Sequence, residues 1–130
     1  MLHHVEVYVS DLERSFEFWS WLLAKLDYQV SAKWDDGFSL KGAGAYLTFV
    51  QVDSKFSDRS FHRRGVGMNH LAFAVADRPT VDSLRQQLKD RGVPLLYDEK
   101  YPFANGGTDF YALYLEDPDR IKVEFVALGR

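Results

Sequence analysis

Two stretches of this chain repeat each other. His4, Val9 and Asp11 recur as His70, Val75 and Asp77 at a constant offset of 66 residues. Each set opens a strand-like run that leads into a helix-like one. Further on, Leu47-Thr48-Phe49-Val50 corresponds to Val123-Glu124-Phe125-Val126, with the offset lengthened to 76 by the intervening loops. A repeat on this scale is a duplicated supersecondary unit, and neither copy can bury a core alone. In 130 residues the expectation is therefore one domain, residues 1–130, made of two modules. Their sheets should combine into a continuous, curved and open mixed β-sheet with the helices on its outer face and a cleft on its inner face.

The local patterns give each module the same element order. His4-Val5-Glu6-Val7-Tyr8-Val9 alternates with the period of a half-buried strand. Ser10-Asp11-Leu12-Glu13 has the form of a capping box, and Leu12, Phe16, Trp19, Leu23 and Leu26 follow at helical spacing. Strand-like runs at Tyr28 to Trp34, Phe38 to Lys41 and Ala45 to Val52 are separated by Asp35-Asp36-Gly37 and Gly42-Ala43-Gly44. That is βαβββ over residues 1–53. A polar loop, 54–67, joins it to a second module over 68–130. There Asn69 to Val75 is the strand, Asp77 the helix cap with Pro79 in the first turn, and Val81, Leu84 and Leu88 the apolar stripe ended by Gly92. Runs at Leu95 to Tyr97, Phe110 to Glu116 and Ile121 to Leu128 complete it. The fold class expected is α+β, and the Gly-containing segment Lys100 to Thr108 reads as a flap over the cleft.

Composition narrows the chemistry. There is no cysteine, so no disulfide or thiolate metal site can form, and any metal takes nitrogen or oxygen ligands. The net charge of −3 shows no basic excess for nucleic acid or an anionic membrane. No apolar stretch approaches the ~18 residues of a membrane span, and Met1 leads into a charged strand rather than a signal peptide. The expectation is a cytoplasmic protein whose partner is a small molecule.

Strand parity sorts the polar residues. With Val5, Val7 and Val9 toward the helix, His4, Glu6 and Tyr8 face the cleft. With Leu71, Phe73 and Val75 toward the second helix, His70, Ala72 and Ala74 face it, and so do Lys122, Glu124 and Val126 of the last strand. Two imidazoles and a carboxylate with coordination positions left open suit a divalent metal. The competing role for each histidine is a hydrogen-bonded structural residue at the start of a strand. Glu6 is either a proton-transfer group or a carboxylate that orients a ligand histidine. Tyr8, Tyr46, Tyr111 and Tyr114 offer hydroxyls to a pocket, with packing as the alternative, and Lys122 could neutralise an anionic substrate. His3, of opposite parity, and His62, in the basic loop, are not expected to be ligands.

The opening His4-Val5-Glu6-Val7-Tyr8-Val9-Ser10-Asp11-Leu12-Glu13-Arg14-Ser15 with Phe18-Trp19, the run Asn69-His70-Leu71-Ala72-Phe73-Ala74-Val75, and Glu116-Asp117-Pro118-Asp119 leading to Lys122-Val123-Glu124 together resemble the vicinal oxygen chelate superfamily. That superfamily groups glyoxalase I, methylmalonyl-CoA epimerase, fosfomycin-modifying thiol transferases, extradiol dioxygenases and bleomycin-resistance proteins. The resemblance places metal ligands on His4, His70 and Glu124, and a homodimer is a common arrangement among such proteins. It implies a glyoxalase-like metalloenzyme of the lyase, isomerase or transferase type, using zinc, manganese, nickel or iron; the polar residues of the cleft then make Glu6 and Glu124 the candidate catalytic groups and Tyr8, Thr48, Tyr111 and Lys122 the candidate substrate contacts. Two departures stand out. Thr48 occupies the position that is a glutamate in enzymes similar to glyoxalase I, and Arg120 stands where many relatives have glycine. The alternatives are a metal-free protein that sequesters a drug or metabolite, and an iron-dependent ring-cleaving dioxygenase.

Overall fold

In the computed structural model, which describes residues 1–130, the alternating run His4–Val9 is strand β1. It leaves His4, Glu6 and Tyr8 exposed while burial deepens to Val9 on the other face. Helix α1 (Leu12–Ala24) follows and buries Ser15, Trp19, Leu22 and Leu23. The capping box places the cap at Ser10, but the structure places it at Asp11, whose carboxylate accepts from the Arg14 N–H at 3.2 Å. Gln51 accounts for the shift. Its side chain accepts from the Leu12 N–H at 2.9 Å and donates to the Ser10 carbonyl at 2.8 Å, so a residue 39 positions beyond Leu12 supplies what a serine cap would have supplied.

Strands β2 (Gln29–Trp34), β3 (Gly37–Lys41) and β4 (Tyr46–Gln51) complete a mixed sheet of order β1-β4-β3-β2, in which β1 is parallel to β4 and the other pairs are antiparallel. Trp19 packs on Phe49 at 4.9 Å between ring centres, and Phe49 stacks on Phe38 at 5.0 Å. The Trp34 ring lies over Gly37, where a Cβ would meet it at 2.3 Å and force it to shift. Residues 1–60 form one compact unit and 61–130 a second. The joining loop contains a single 3-10 turn, Ser54–Phe56, capped by Asp53.

The second unit repeats the order with β5 (Leu71–Val75), α2 (Arg78–Asp90), β6 (Leu95–Leu96), β7 (Ala112–Glu116) and β8 (Lys122–Ala127) in a sheet β5-β8-β7-β6. Asp77 caps α2, accepting from the Thr80 N–H at 2.9 Å and its hydroxyl at 2.6 Å, bonds that hold its carboxyl below the ordinary aspartate range. Val81, Leu84 and Leu88 are buried as the spacing requires. The architecture is the expected α+β pair of βαβββ modules. The eight strands form two open four-stranded sheets rather than one continuous sheet, because backbone pairing is completed within each unit. Pairing of β5 begins at Leu71, not Asn69, and β6 stops at Leu96 because Tyr97 turns into the left-handed region with φ 57°.

Arg120 also has positive φ, 64°, after Asp117, whose buried carboxylate accepts from the Asp119 and Ile121 N–H groups at 2.8 and 2.7 Å. A side chain in that conformation costs about 1–2 kcal/mol, which is more than the entropy glycine would add to the unfolded chain. The Arg120 bond to Glu116, at 3.1 Å from a side chain 73% exposed, offsets little of this. Arg120→Gly is expected to raise the unfolding free energy by about 0.5 kcal/mol in urea titrations. A loss of stability would show that the Arg120–Glu116 pair outweighs the strain.

Candidate functional site

In the second unit the register sets Ala72 opposite Glu124 and Glu124 opposite Tyr114, so three neighbouring strands present one side chain each to the same face. His70 lies two residues before Ala72. Its Nε2 is 2.9 Å from Glu124 Oε2 and its Nδ1 is 2.7 Å from Asn69 Oδ1. Glu124 is 6% exposed and the His70 side chain 32%, so the pair is buried on the carboxylate side and open on the imidazole side. Ala72 and Ala74 project only methyl groups beside it and are themselves exposed.

The two contacts of His70 define what the pair can accept. With Nδ1–H donating to the Asn69 carbonyl oxygen, Nε2 carries a lone pair toward a carboxylate oxygen that also carries lone pairs. In that tautomer the pair can share a proton or a metal ion; with the proton on Nε2 instead, the imidazole donates directly to the carboxylate. An outer hydrogen bond that fixes the tautomer of a histidine in this way is the usual support of a ligand imidazole.

Tyr114 stands beside the pair, with its ring edge-on to His70 at 6.4 Å and its hydroxyl accepting from Asn105 Nδ2 at 2.8 Å. Burial, with the Glu124 carboxylate adding to it, pushes the phenol up to about 12, so it keeps its proton at neutral pH. Lys122 Nζ donates to the Tyr97 hydroxyl at 3.3 Å and lies 4.8 and 5.0 Å from the ring centres of Tyr97 and Tyr114.

The first unit carries the matching positions. His4 is exposed and lies flat on Tyr46, with ring centres 4.7 Å apart and planes 7° from parallel, and its Nδ1 is 2.8 Å from Nδ1 of His3. Glu6 is exposed beside Thr48 in the register, and Tyr8 is 71% exposed on the same face. Thr48 is buried, with its hydroxyl 2.6 Å from that of Ser39. Ser39 opposite Thr48 is thus the counterpart of Tyr114 opposite Glu124. The repeat preserves a polar pair at this place, but only the second copy makes it ionisable.

Of the three side chains expected to hold a metal, the structure brings together His70 and Glu124; no group of three such side chains is assembled. Tyr111 is placed elsewhere than expected. It has the opposite parity to Tyr114, and its hydroxyl donates to Asp82 of α2 at 2.6 Å with Arg78 4.9 Å over its ring. Tyr114, not Tyr111, therefore stands next to Glu124. The Asp117-Pro118-Asp119 turn marks the β7–β8 hairpin in the sequence, but the register that sets Tyr114 against Glu124 depends on how many residues the turn takes up. Asn69 and Asn105 carry no sequence signal of their own. A cavity of about 560 Å³ lies around Arg78, Phe103, Tyr111 and Leu128, apart from His70 and Glu124, and a smaller hollow of about 270 Å³ on the first unit is lined by Ser31, Ser39, Lys41 and Tyr46. No helix is long and apolar enough to cross a membrane.

A family model for the Glyoxalase/Bleomycin resistance protein/Dioxygenase superfamily matches residues 1–125. The uncharacterized protein YqjT of Bacillus subtilis is 47% identical over 126 residues, covering 97% of this chain and 98% of that protein. Glutathione transferase FosA of Serratia marcescens is 31% identical over 127 residues, covering 95% of this chain and 77% of FosA. Among solved structures, a glyoxalase candidate from Bacillus halodurans superposes with a TM-score of 0.94 at 51% identity, covering 98% of this chain and 95% of its own.

Proposed function

Since the chain belongs to the glyoxalase/bleomycin resistance protein/dioxygenase superfamily, we propose that it is a divalent-metal-dependent enzyme acting on a small oxygenated metabolite or antibiotic, with His4, His70 and Glu124 as the metal ligands. The observation that supports this reading is the His70–Glu124 pair, which sets an imidazole nitrogen 2.9 Å from a nearly buried carboxylate oxygen while the other ring nitrogen is engaged by Asn69. Zinc, manganese, nickel and iron are the ions that two imidazoles and a carboxylate favour. An ion so held keeps net positive charge and stabilises negative charge developing on adjacent substrate oxygens.

The chain's own groups have separable tasks. Glu124 is held by the sheet between Ala72 and Tyr114, which limits its freedom to turn away. The open face over Ala72 and Ala74 leaves room for a substrate beside His70. Lys122 supplies positive charge at the edge of that face for an anionic substrate. Glu6, exposed on the same strand face as His4, is the carboxylate available to move a proton. Thr48 has no such capacity, and its hydroxyl is engaged by Ser39. This favours lyase, isomerase or ring-opening transferase chemistry over a glyoxalase I that needs a carboxylate at Thr48, and the likeness to FosA keeps transfer of a thiol within the same range.

Elemental analysis of untagged protein purified without chelator, then after incubation with zinc, manganese, nickel or iron(II) salts, tests the reading. About one metal ion per chain is expected in the wild type, and loss of it in His70→Ala. Absence of metal from the wild type after every incubation would overturn the enzyme reading in favour of a metal-free protein that sequesters a small molecule.

A further inference from the structure

We propose that Asp82, on helix α2, is a positioning residue for the His70–Glu124 site, acting through the segment between Tyr101 and Tyr111; the inference rests on the function proposed above. Both ends of that segment are fastened to one carboxylate oxygen. The hydroxyls of Tyr101 and Tyr111 each donate to Asp82 Oδ1, and the two rings meet edge to face at 5.8 Å. The surroundings reinforce the clasp. Arg85 lies 4.5 Å over the Tyr101 ring and forms a two-point bond with Asp98 at 2.7 and 2.9 Å, while Lys89 approaches Asp98 at 2.9 Å. These cations hold the Asp98 carboxyl down to about 2.

What the clasp holds is a segment with little structure of its own. It contains Gly106 and Gly107, both at positive φ, and its residues 105–110 are exposed. From within it Asn105 reaches back to the Tyr114 hydroxyl. A phenol has one proton to give. Because Asn105 donates into the oxygen, the Tyr114 proton is left to point elsewhere, and the adjacent anion is the Glu124 carboxylate. The sequence of effects runs from Asp82 to the two tyrosines, to the placement of Asn105, to the direction of the Tyr114 O–H, and so to the carboxylate that faces His70. The first and last links are hydrogen bonds and a neighbouring charge, and between the tyrosines and Asn105 the link is the short segment itself, in which Phe103 also meets the Tyr111 ring edge-on at 5.6 Å. A carboxylate acceptor makes the two phenol bonds roughly twice as strong as a neutral acceptor would.

Tyrosine-selective isotope labelling and NMR of the full chain, without metal, read the coupling directly, with Tyr114→Phe assigning the Tyr114 ring signal. Asp82→Ala is expected to move that signal in the same direction as Asn105→Ala, and the double variant no further than Asn105→Ala alone. Asp82→Asn, whose carbonyl still accepts an O–H, should restore part of the wild-type position. Calorimetric titration with zinc should then show the dissociation constant raised about threefold to tenfold in Asp82→Ala, less than the loss of a direct outer-shell partner. If Asp82→Ala does not fold, Tyr111→Phe, which removes one hydroxyl, takes its place with the same expectation. A Tyr114 signal unmoved while those of Tyr101 and Tyr111 shift would overturn the proposal. Wild-type protein that binds no zinc would count against the metalloenzyme reading, and the metal-free NMR comparison would still decide the role of Asp82.

Discussion

Glu124→Gln is expected to weaken zinc binding by more than about a hundredfold, beyond the loss that follows removal of an outer-shell partner of a metal ligand. The carboxylate is nearly buried, in contact with His70 and beside Tyr114, so no other acidic side chain of the second unit can take its place on that face without rearranging β8. An amide is a neutral and weak ligand, and it also removes the reason for a cation. Its NH2 group can donate to His70 Nε2 directly and satisfy the pair without metal or proton. The variant should therefore fold with a melting temperature close to that of metal-free wild type. Circular dichroism beside calorimetric titration checks both halves of this, and zinc affinity unchanged in the variant would remove Glu124 from the ligand set.

The second large effect lies in the first unit, where Trp19→Ala should cost about 3–5 kcal/mol of stability. The indole is fully buried, tilted on Phe49 at 4.9 Å and packed in a layer with Phe38, Leu22 and Leu23, all of them inaccessible to solvent. In a sheet of four short strands covered by one helix there is little other apolar mass to collapse into the vacated volume. Against a total of about 5–15 kcal/mol for an ordinary domain, the loss should bring the midpoint of thermal unfolding well down. Far-ultraviolet circular dichroism follows it, and a decrease below about 1 kcal/mol would mean that the helix can settle onto the sheet without Trp19.

The candidate site was readable in part. His70 and Glu124 lie 54 residues apart, yet parity alone assigns both to one face, because alternation along a strand is a property of the backbone. Their closeness needs more, namely that β5 and β8 be neighbours and in a register that sets Ala72 against Glu124. The internal repeat implies that neighbour relation, since β1 and β4 stand in the same parallel pairing. Tyr111 shows where such reading stops. A slip of one residue in the register of β7 against β8 exchanges the faces of Tyr111 and Tyr114, and the loop before the strand gives no periodic signal to settle it.

By itself the sequence determined the duplicated βαβββ order, the buried stripe of α2 and the Trp19 and Leu23 positions of α1, the cap at Asp77 and the strand faces that carry His4, Glu6 and Glu124. These follow from periods of two and of about 3.6 residues and from local side chain to backbone bonds, which neighbouring residues decide among themselves. Only the tertiary structure decided that Gln51 moves the first cap to Asp11, that Tyr114 rather than Tyr111 stands beside Glu124, and that Asp82 gathers Tyr101 and Tyr111. Such contacts join side chains from separate elements, and their existence depends on register and on loop paths, which no periodicity in the chain records.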